Sequence, residues 1–186
     1  KTNQTATAAG CADGACSNNA ICCKDTIVPI TDADVKRLMK ATGLPADEIV
    51  RLYSTSDLQY DNDHTWIQMG YGKRIVGLKK NGDRCKFLNE HGLCTVYDAR
   101  PIPCRTSPYM VQLDDAGRLD ELELNADVDC CGRLGSHWSK KKLLSDARRE
   151  DAEDDAYIDQ LRAYERRVRR GRNRGKRGLL KFLGLA

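Results

Sequence analysis

The sequence predicts an α+β fold: a small irregular domain of short strands and short helices, closed by one long C-terminal helix. Three observations predict it. Apolar residues alternate from Thr65 to Leu78, and Tyr109–Leu113 and Leu119–Leu124 flank an Asp114–Asp115–Ala116–Gly117 turn, so both stretches read as strands. After Trp138 a long charged helix takes over, with Tyr157, Leu161, Tyr164 and Val168 at a four-three-four spacing. Finally, nine cysteines are distributed over 186 residues of which only 6% are aromatic and 31% are charged. The apolar core is therefore modest, and the fold is expected to be stabilised by metal.

The elements follow in order. Lys1 to Gly10 are small and polar and read as a disordered leader. Cys11 to Cys23 read as a loop, because the Gly, Asp, Ser and Asn residues between the cysteines have no apolar period. A helix is expected from Thr31 to about Thr42, with Thr31 as N-cap, Val35, Leu38 and Met39 on one face, and Gly43 as terminator. Pro45 then opens a second helix expected to run through Tyr53. Two helices about a tight turn resemble a DNA-reading motif in outline. Arg51 is the one basic residue of the second, so the pair reads as structural. The expected organisation is a leader at 1–10, a cysteine-cluster metal-binding domain at 11–170 and a basic, apolar-tipped tail at 171–186.

The cysteines fall into groups: Cys11, Cys16, Cys22 and Cys23; Cys85, Cys94 and Cys104; Cys130 and Cys131. An odd count leaves one thiol over in any disulfide scheme. The vicinal pairs could bridge only through strained rings, whereas adjacent thiols can serve two different sites. Metal ligation is thus favoured over a disulfide framework, and the compartment is expected to be reducing: the cytoplasm, or an organelle interior if the start of the chain is processed. Only Cys11-x4-Cys16 has the close spacing of a zinc knuckle. Iron–sulfur sites accept ligands from distant loops, and nine cysteines allow two sets of four with one spare.

In the central group, Gly92 lets the backbone turn before Cys94. Pro101, Pro103 and Pro108 are expected to hold Cys104 on a stiff loop outside any helix. Arg100 and Arg105 flank Cys104 and could offset the negative charge of a thiolate-bound cluster; exposed loop charges, or partners for Asp98, are the plainer reading.

The pattern resembles the YkgJ-type cysteine-cluster family, the CxxCxxCC "putative zinc- or iron-chelating domain". The resemblance rests on Cys11 to Cys23 ending in a Cys-Cys pair, Cys85-Lys86-Phe87-Leu88, Cys94-Thr95-Val96-Tyr97, the Arg-Pro-x-x-Cys-Arg-x-x-Pro run from Arg100 to Pro108, and Cys130-Cys131-Gly132. It extends from about Cys11 to the long helix near Tyr164. The N-terminal spacing is looser than the family's usual one, and Cys131 stands where a proline is common, which makes it the candidate spare thiol. The resemblance implies metal binding, most plausibly as one or two 4Fe-4S clusters with zinc as the alternative. It implies no settled reaction.

His91, between Cys85 and Cys94, is a candidate ligand or a solvated turn residue; His64 and His137 carry no motif. No phosphate loop, Gly-x-Ser-x-Gly or His-Glu-x-x-His is present. The formal charge of +4 is unevenly spread: Ser139 to Ala186 holds fifteen Lys/Arg against eight Asp/Glu, a balance of +7, which leaves the rest at −3. The basic tail tipped by Leu179, Leu180, Phe182, Leu183 and Leu185 reads either as a solvated helix end or as an arm docking on a protein partner or an anionic membrane surface. A nucleic-acid partner is disfavoured, since no aromatic platform accompanies Arg172–Arg177. No transmembrane segment is read in the sequence. Three functional classes follow: a protein that binds an iron–sulfur cluster through cysteines of the central and late groups, with a second metal site at the N-terminal group, for electron transfer or cluster handling; a structural zinc interaction module; and a cluster-dependent oxidoreductase.

Overall fold

A computed structural model describes residues 21–24, 26–58, 65–124, 139–170 and 175–186. The expected leader, Cys11, Cys16, Cys130, Cys131, His64 and His137 lie outside them. The described residues form an α+β domain with six helices: α1 (Ile21–Lys24), α2 (Asp32–Thr42), α3 (Ala46–Ile49), α4 (Ile102–Thr106), α5 (Lys140–Arg169) and α6 (Lys176–Phe182). Three antiparallel sheets accompany them. Strands β1 (Val50–Ser54), β3 (Gly72–Leu78) and β2 (Ile67–Met69) pair in that order, with Val50 opposite Leu78 and Ile67 opposite Arg74. Two hairpins stand apart: β4 (Lys80–Asn81) with β5 (Arg84–Cys85), and β6 (Tyr109–Leu113) with β7 (Leu119–Leu124).

Helix α2 begins and ends as the sequence dictates. Thr31 and Asp34 form a reciprocal capping box, and Gly43, at φ 70°, closes the helix in the left-handed conformation open to glycine. The helix expected from Pro45 to Tyr53 stops at Ile49 instead. From Val50 the chain is β1, because pairing with β3 lets Val50 and Tyr53 bury on opposite sides of the sheet and lets the Tyr53 hydroxyl donate to the Leu78 carbonyl at 2.6 Å. A helix there would forfeit that alternation.

The stretch before α2 extends the sheet. The Ile30 amide donates to the Val76 carbonyl and the Leu78 amide to the Val28 carbonyl. This approach needs Gly77, where a Cβ would lie 3.0 Å from both the Tyr53 ring and the Val28 carbonyl oxygen. One sheet face carries the main core, with Val50, Ile67, Met69 and Val76 packed against Val35, Leu38, Tyr157, Leu161 and Tyr164. The opposite face holds a smaller cluster of Tyr53, Leu58, Trp66 and Ile75.

Helix α5 runs 30 residues and buries Tyr157, Leu161, Tyr164 and Val168, the spacing expected of it. It is fastened to α2 by Arg37, whose guanidinium donates to both Glu153 carboxylate oxygens at 2.7 Å and also to Asp34.

The tail corrects the docking-arm expectation. Leu179, Leu180, Leu183 and Leu185 are buried in the main core, and Phe182 packs beside the Tyr164 ring and beneath the Arg167 guanidinium. Lys176 Nζ donates to the carbonyls of Asp47 and Val50, which pins α6 across the end of α3. The apolar residues read as a partner-seeking tip satisfy the chain's own core. Substituting Leu179, 0% exposed, by alanine should cost about 2–5 kcal/mol of unfolding free energy in a denaturant titration. Met110→Ala, at a position 45% exposed, should change it by less than about 0.5 kcal/mol.

Candidate metal centre

Four segments deliver five cysteines. Cys22 and Cys23 lie on α1, which is a helical turn rather than the expected loop, with their Sγ atoms 3.9 Å apart. Cys85 ends β5, and Cys94 faces Leu88 across an isolated antiparallel bridge. Cys104 lies within α4, against the expectation of a loop. The prolines explain why a helix tolerates them. Pro101 is the N-cap and Pro103 sits in the first turn, where the missing N–H would have found no helical partner anyway. No disulfide joins any two of the described cysteines.

The turn between Cys85 and Cys94 is built from its own backbone. Phe87 is buried and anchors it; the Thr95 amide donates to the Phe87 carbonyl at 2.8 Å, and the Asn89 side chain accepts from the Leu93 amide at 2.8 Å. Gly92 at φ 76° completes the reversal, as its place before Cys94 predicts. On the other side, Lys80 Nζ donates to the Lys24 carbonyl, which holds α1 against the β4–β5 hairpin.

These segments converge on Cys104. Its thiol is pushed well above the ordinary cysteine range, first by burial and then by the proximity of Cys85, Cys22, Asp34 and Cys94. The residue keeps some exposed surface, so burial here means close crowding by protein atoms rather than complete enclosure. Burial also raises Cys85, with Cys94 adding to the shift and the Phe87 amide and Lys80 opposing it. Cys22, Cys85, Cys94 and Cys104 are therefore electrostatic neighbours, and the Cys23 sulfur lies beside that of Cys22.

The donor set fits a soft cation. Cys85 and Cys104 resist ionisation here, and a metal ion supplies the positive charge that makes neighbouring thiolates compatible. Among the described residues, no three His, Cys, Asp or Glu side chains are already spaced to ligate one ion. The thiols are gathered but not closed.

The arginines brace this turn. Arg100 stacks over the Tyr97 ring at 3.7 Å and donates to the Tyr97 carbonyl at 3.0 Å and the Cys104 carbonyl at 3.4 Å. Arg105 donates to the Arg100 carbonyl at 2.7 Å and to the Asp98 backbone carbonyl at 3.3 Å, and its Nη1 lies 3.9 Å from Asp146. Both keep fixed positive charge beside Cys104 while tying residues 97–105 together. The His91 side chain is 75% exposed, with Nε2 3.5 Å from a Glu90 carboxylate oxygen, so it is a solvated turn residue in this arrangement.

A family model described as CxxCxxCC, "putative zinc- or iron-chelating domain", matches residues 11–132. The chain belongs to the CxxCxxCC family. The match spans all nine cysteines and ends before α5. The chain is also similar to an uncharacterized protein of Methanocaldococcus jannaschii, 30% identical over 114 residues, which are 61% of this chain and 52% of that protein. The alignment thus spans about half the length of that relative. No solved structure matches the chain. Membership in the CxxCxxCC family makes zinc or iron binding the general chemistry of the cysteines. Among the described residues no helix is long and apolar enough to cross a membrane.

Two features of the site were not read from the sequence. One is Asp34, which was placed only near a helix start but whose carboxylate accepts from the Ile102 amide at 3.0 Å, at the first turn of the helix that carries Cys104. The other is a cavity of about 220 Å³ behind that helix, lined in part by Ile102, Pro103, Asp34, Glu150, Glu153 and Asp154. Its signal lay in the sequence: Glu150 and Asp154 continue the four-three-four stripe of α5 toward its N-terminus, so carboxylates stand where the helix turns inward.

Two outcomes test this geometry. Cys104→Ser should remove most of the metal bound by these thiols, whereas His91→Ala, at a side chain 75% exposed, should retain it, as read by metal analysis of purified protein. Burial, with the like charge of Asp154 adding to it, raises the Glu150 carboxyl from 4.5 to about 8. The folded state thus holds this proton more tightly than the unfolded state. The resulting destabilisation is absent below pH 4.5, grows toward pH 8 and is complete above it. Glu150→Gln should be more stable than the parent at pH 9, by on the order of 1 kcal/mol or more, and near parity at pH 4.5, in paired thermal unfolding.

Proposed function

We propose that this chain binds an iron–sulfur cluster through Cys22, Cys85, Cys94 and Cys104 and serves electron transfer or cluster handling for a partner protein. The observation that carries the reading is the convergence of four thiols from four separate segments around one crowded position, Cys104. Ligands drawn from distant turns suit a cluster better than a single zinc ion, whose structural sites usually take close Cys pairs. When bound, the cluster supplies a one-electron couple.

The chain's own residues do the rest. Phe87 and Ile102 are buried and anchor the turn after Cys85 and the first turn of α4. Arg100 donates to the Cys104 carbonyl and Arg105, the next residue in the chain, to the Arg100 carbonyl, and their two charges would offset thiolate charge and raise the reduction potential. Asp34 acts in the opposite direction, as a carboxylate within electrostatic reach of Cys104. The potential reports the balance between them. In this reading Cys23, together with Cys11, Cys16, Cys130 and Cys131, remains for a second site and a spare thiol.

The test is the iron, acid-labile sulfide and zinc content of protein purified without oxygen, with its visible spectrum. Iron and sulfide in near-equal amounts, with a brown chromophore that bleaches on reduction, is the expected outcome. Colourless protein with stoichiometric zinc would overturn it and leave a structural zinc module. Arg100→Gln should then lower the potential of the cluster while leaving iron content unchanged, which separates an electrostatic role from a merely structural one.

A further inference from the structure

The last turns of α5 present two unlike faces. Tyr157, Leu161, Tyr164 and Val168 are buried, whereas Arg162, Arg166, Arg169 and, at the helix end, Arg170 are exposed. At 100° per residue, Arg162, Arg166 and Arg169 fall within about 60° of one another around the axis, opposite the buried stripe. Arg162 lies 3.6 Å from Asp159, both side chains being exposed. Among the described residues no ion pair or side-chain hydrogen bond engages Arg166, Arg169 or Arg170. Glu165 is the single acidic residue from Arg162 to Lys181, and its carboxylate accepts from the Gln68 backbone amide at 2.6 Å. A helix C-terminus favours positive charge, but like charges three and four residues apart destabilise the helix that carries them. These arginines brace nothing in the fold and repel one another.

The fold brings an aromatic ring to the same end of α5. The bond from Gln68 to Glu165 fixes β2 against the flank of the basic face, and the turn that follows β2 carries Tyr71. Tyr71 is 50% exposed, the most of any large hydrophobic side chain among the described residues, and lies within electrostatic reach of Tyr164. The Arg74 guanidinium stands over its ring, 4.8 Å from the centroid. In the sequence no aromatic platform accompanies the basic tail; the tertiary structure supplies one from the β2–β3 turn.

Charge and ring together decide the class of ligand. Guanidinium groups match the oxygens of phosphate in a two-pronged fit, and an exposed ring stacks on a base only where that base is unpaired. A membrane surface fits less well, because Leu179, Leu180, Leu183 and Leu185, the apolar residues able to enter a bilayer, are buried in the core. We propose that Arg162, Arg166, Arg169 and Arg170 track the phosphates of a single-stranded nucleic acid while Tyr71 stacks on one of its bases. RNA and DNA share this chemistry. The face stands apart from the thiols and is independent of the metal they hold. Arg105, next to Cys104, lies 3.9 Å from Asp146, and Arg166 is a further 20 residues along α5, about 30 Å by the helical rise.

The test uses the full metal-loaded chain and fluorescence anisotropy. The probes are single strands of about twelve nucleotides of alternating C and A, as RNA and as DNA, with an abasic DNA strand of the same length as control. Base-bearing strands should bind at least about fivefold more tightly than the abasic one. Tyr71→Ala should remove that margin and leave abasic binding unchanged. The Arg166→Gln/Arg169→Gln double variant should weaken binding of every strand and flatten the slope of log affinity against log salt by about 1.4. Lys140→Gln/Lys141→Gln, at exposed positions on the far end of α5, should keep the slope. The abasic comparison on the unsubstituted protein reads the base contact even if a variant folds poorly. Tighter binding of the RNA strand assigns the face to RNA, and the reverse assigns it to DNA. Equal affinity for abasic and base-bearing strands, an undiminished margin in folded Tyr71→Ala, or an unaltered slope in the folded arginine variant would each overturn the proposal. So would tighter binding of the paired duplex, or capture by phosphatidylserine vesicles in preference to the strand when both are present.

Discussion

The Asp34 carboxylate is the point on which three elements of this protein depend. It is 2% exposed, and a buried charge of that kind is tolerated only when hydrogen bonds and opposite charge surround it. Asp34 receives the Thr31 amide, the Thr31 hydroxyl, the Ile102 amide and the Arg37 guanidinium. Those four donors cap α2, begin α4 and, through Glu153, fasten α5. Removing the carboxylate would leave the guanidinium and two buried amides competing for the remaining acceptors. The helix that carries Cys104 is therefore held from its N-terminal side by a charge on another helix, not by its own five residues.

That arrangement places the candidate metal ligands at the rim of the core rather than outside it. Cys85, Cys94 and Cys104 pack against the same apolar cluster as Phe87, Leu78 and Leu179. Thiols in such surroundings resist ionisation, and a soft cation reverses the preference. In the proposed reading metal binding and core packing are coupled for this reason: a cofactor held by these thiols would also join α1, the β4–β5 hairpin, the turn at Cys94 and α4. In the protein itself Lys80 ties the β4–β5 hairpin to α1 through the Lys24 carbonyl, while Arg100 and Arg105 tie residues 97–105 to one another.

Helix α5 serves two environments along one face. Toward its C-terminus the inward positions are Tyr157, Leu161, Tyr164 and Val168, covered in part by α6. Toward its N-terminus the same stripe carries Asp154 and Glu150, and the core gives way to a cavity. Apolar side chains at those two positions would fill the space. Carboxylates cannot pack there without losing water, so the space stays open, and their raised pKa values record the strain of being there uncompensated.

Much of this was legible in the chain alone, because it rests on short-range physics. Thr31 and Gly43 bound α2 through local hydrogen bonding and backbone conformation, the Asp114–Gly117 turn sets the β6–β7 hairpin, and the stripe on α5 follows from helical geometry. The cysteine pattern likewise carried family and general chemistry, since ligand chemistry is a property of residue type. Tertiary structure decided what depends on distant partners. Val50 to Ser54 became a strand because β3 offered a pairing edge, and Cys104 entered a helix because Asp34 received the Ile102 amide. The apolar tail turned inward because α3 and α5 left a surface for it to cover, and Cys22 came within electrostatic reach of Cys104 because the segments that carry them pack together. Those outcomes come from packing between segments far apart in the chain, which composition and local spacing do not encode.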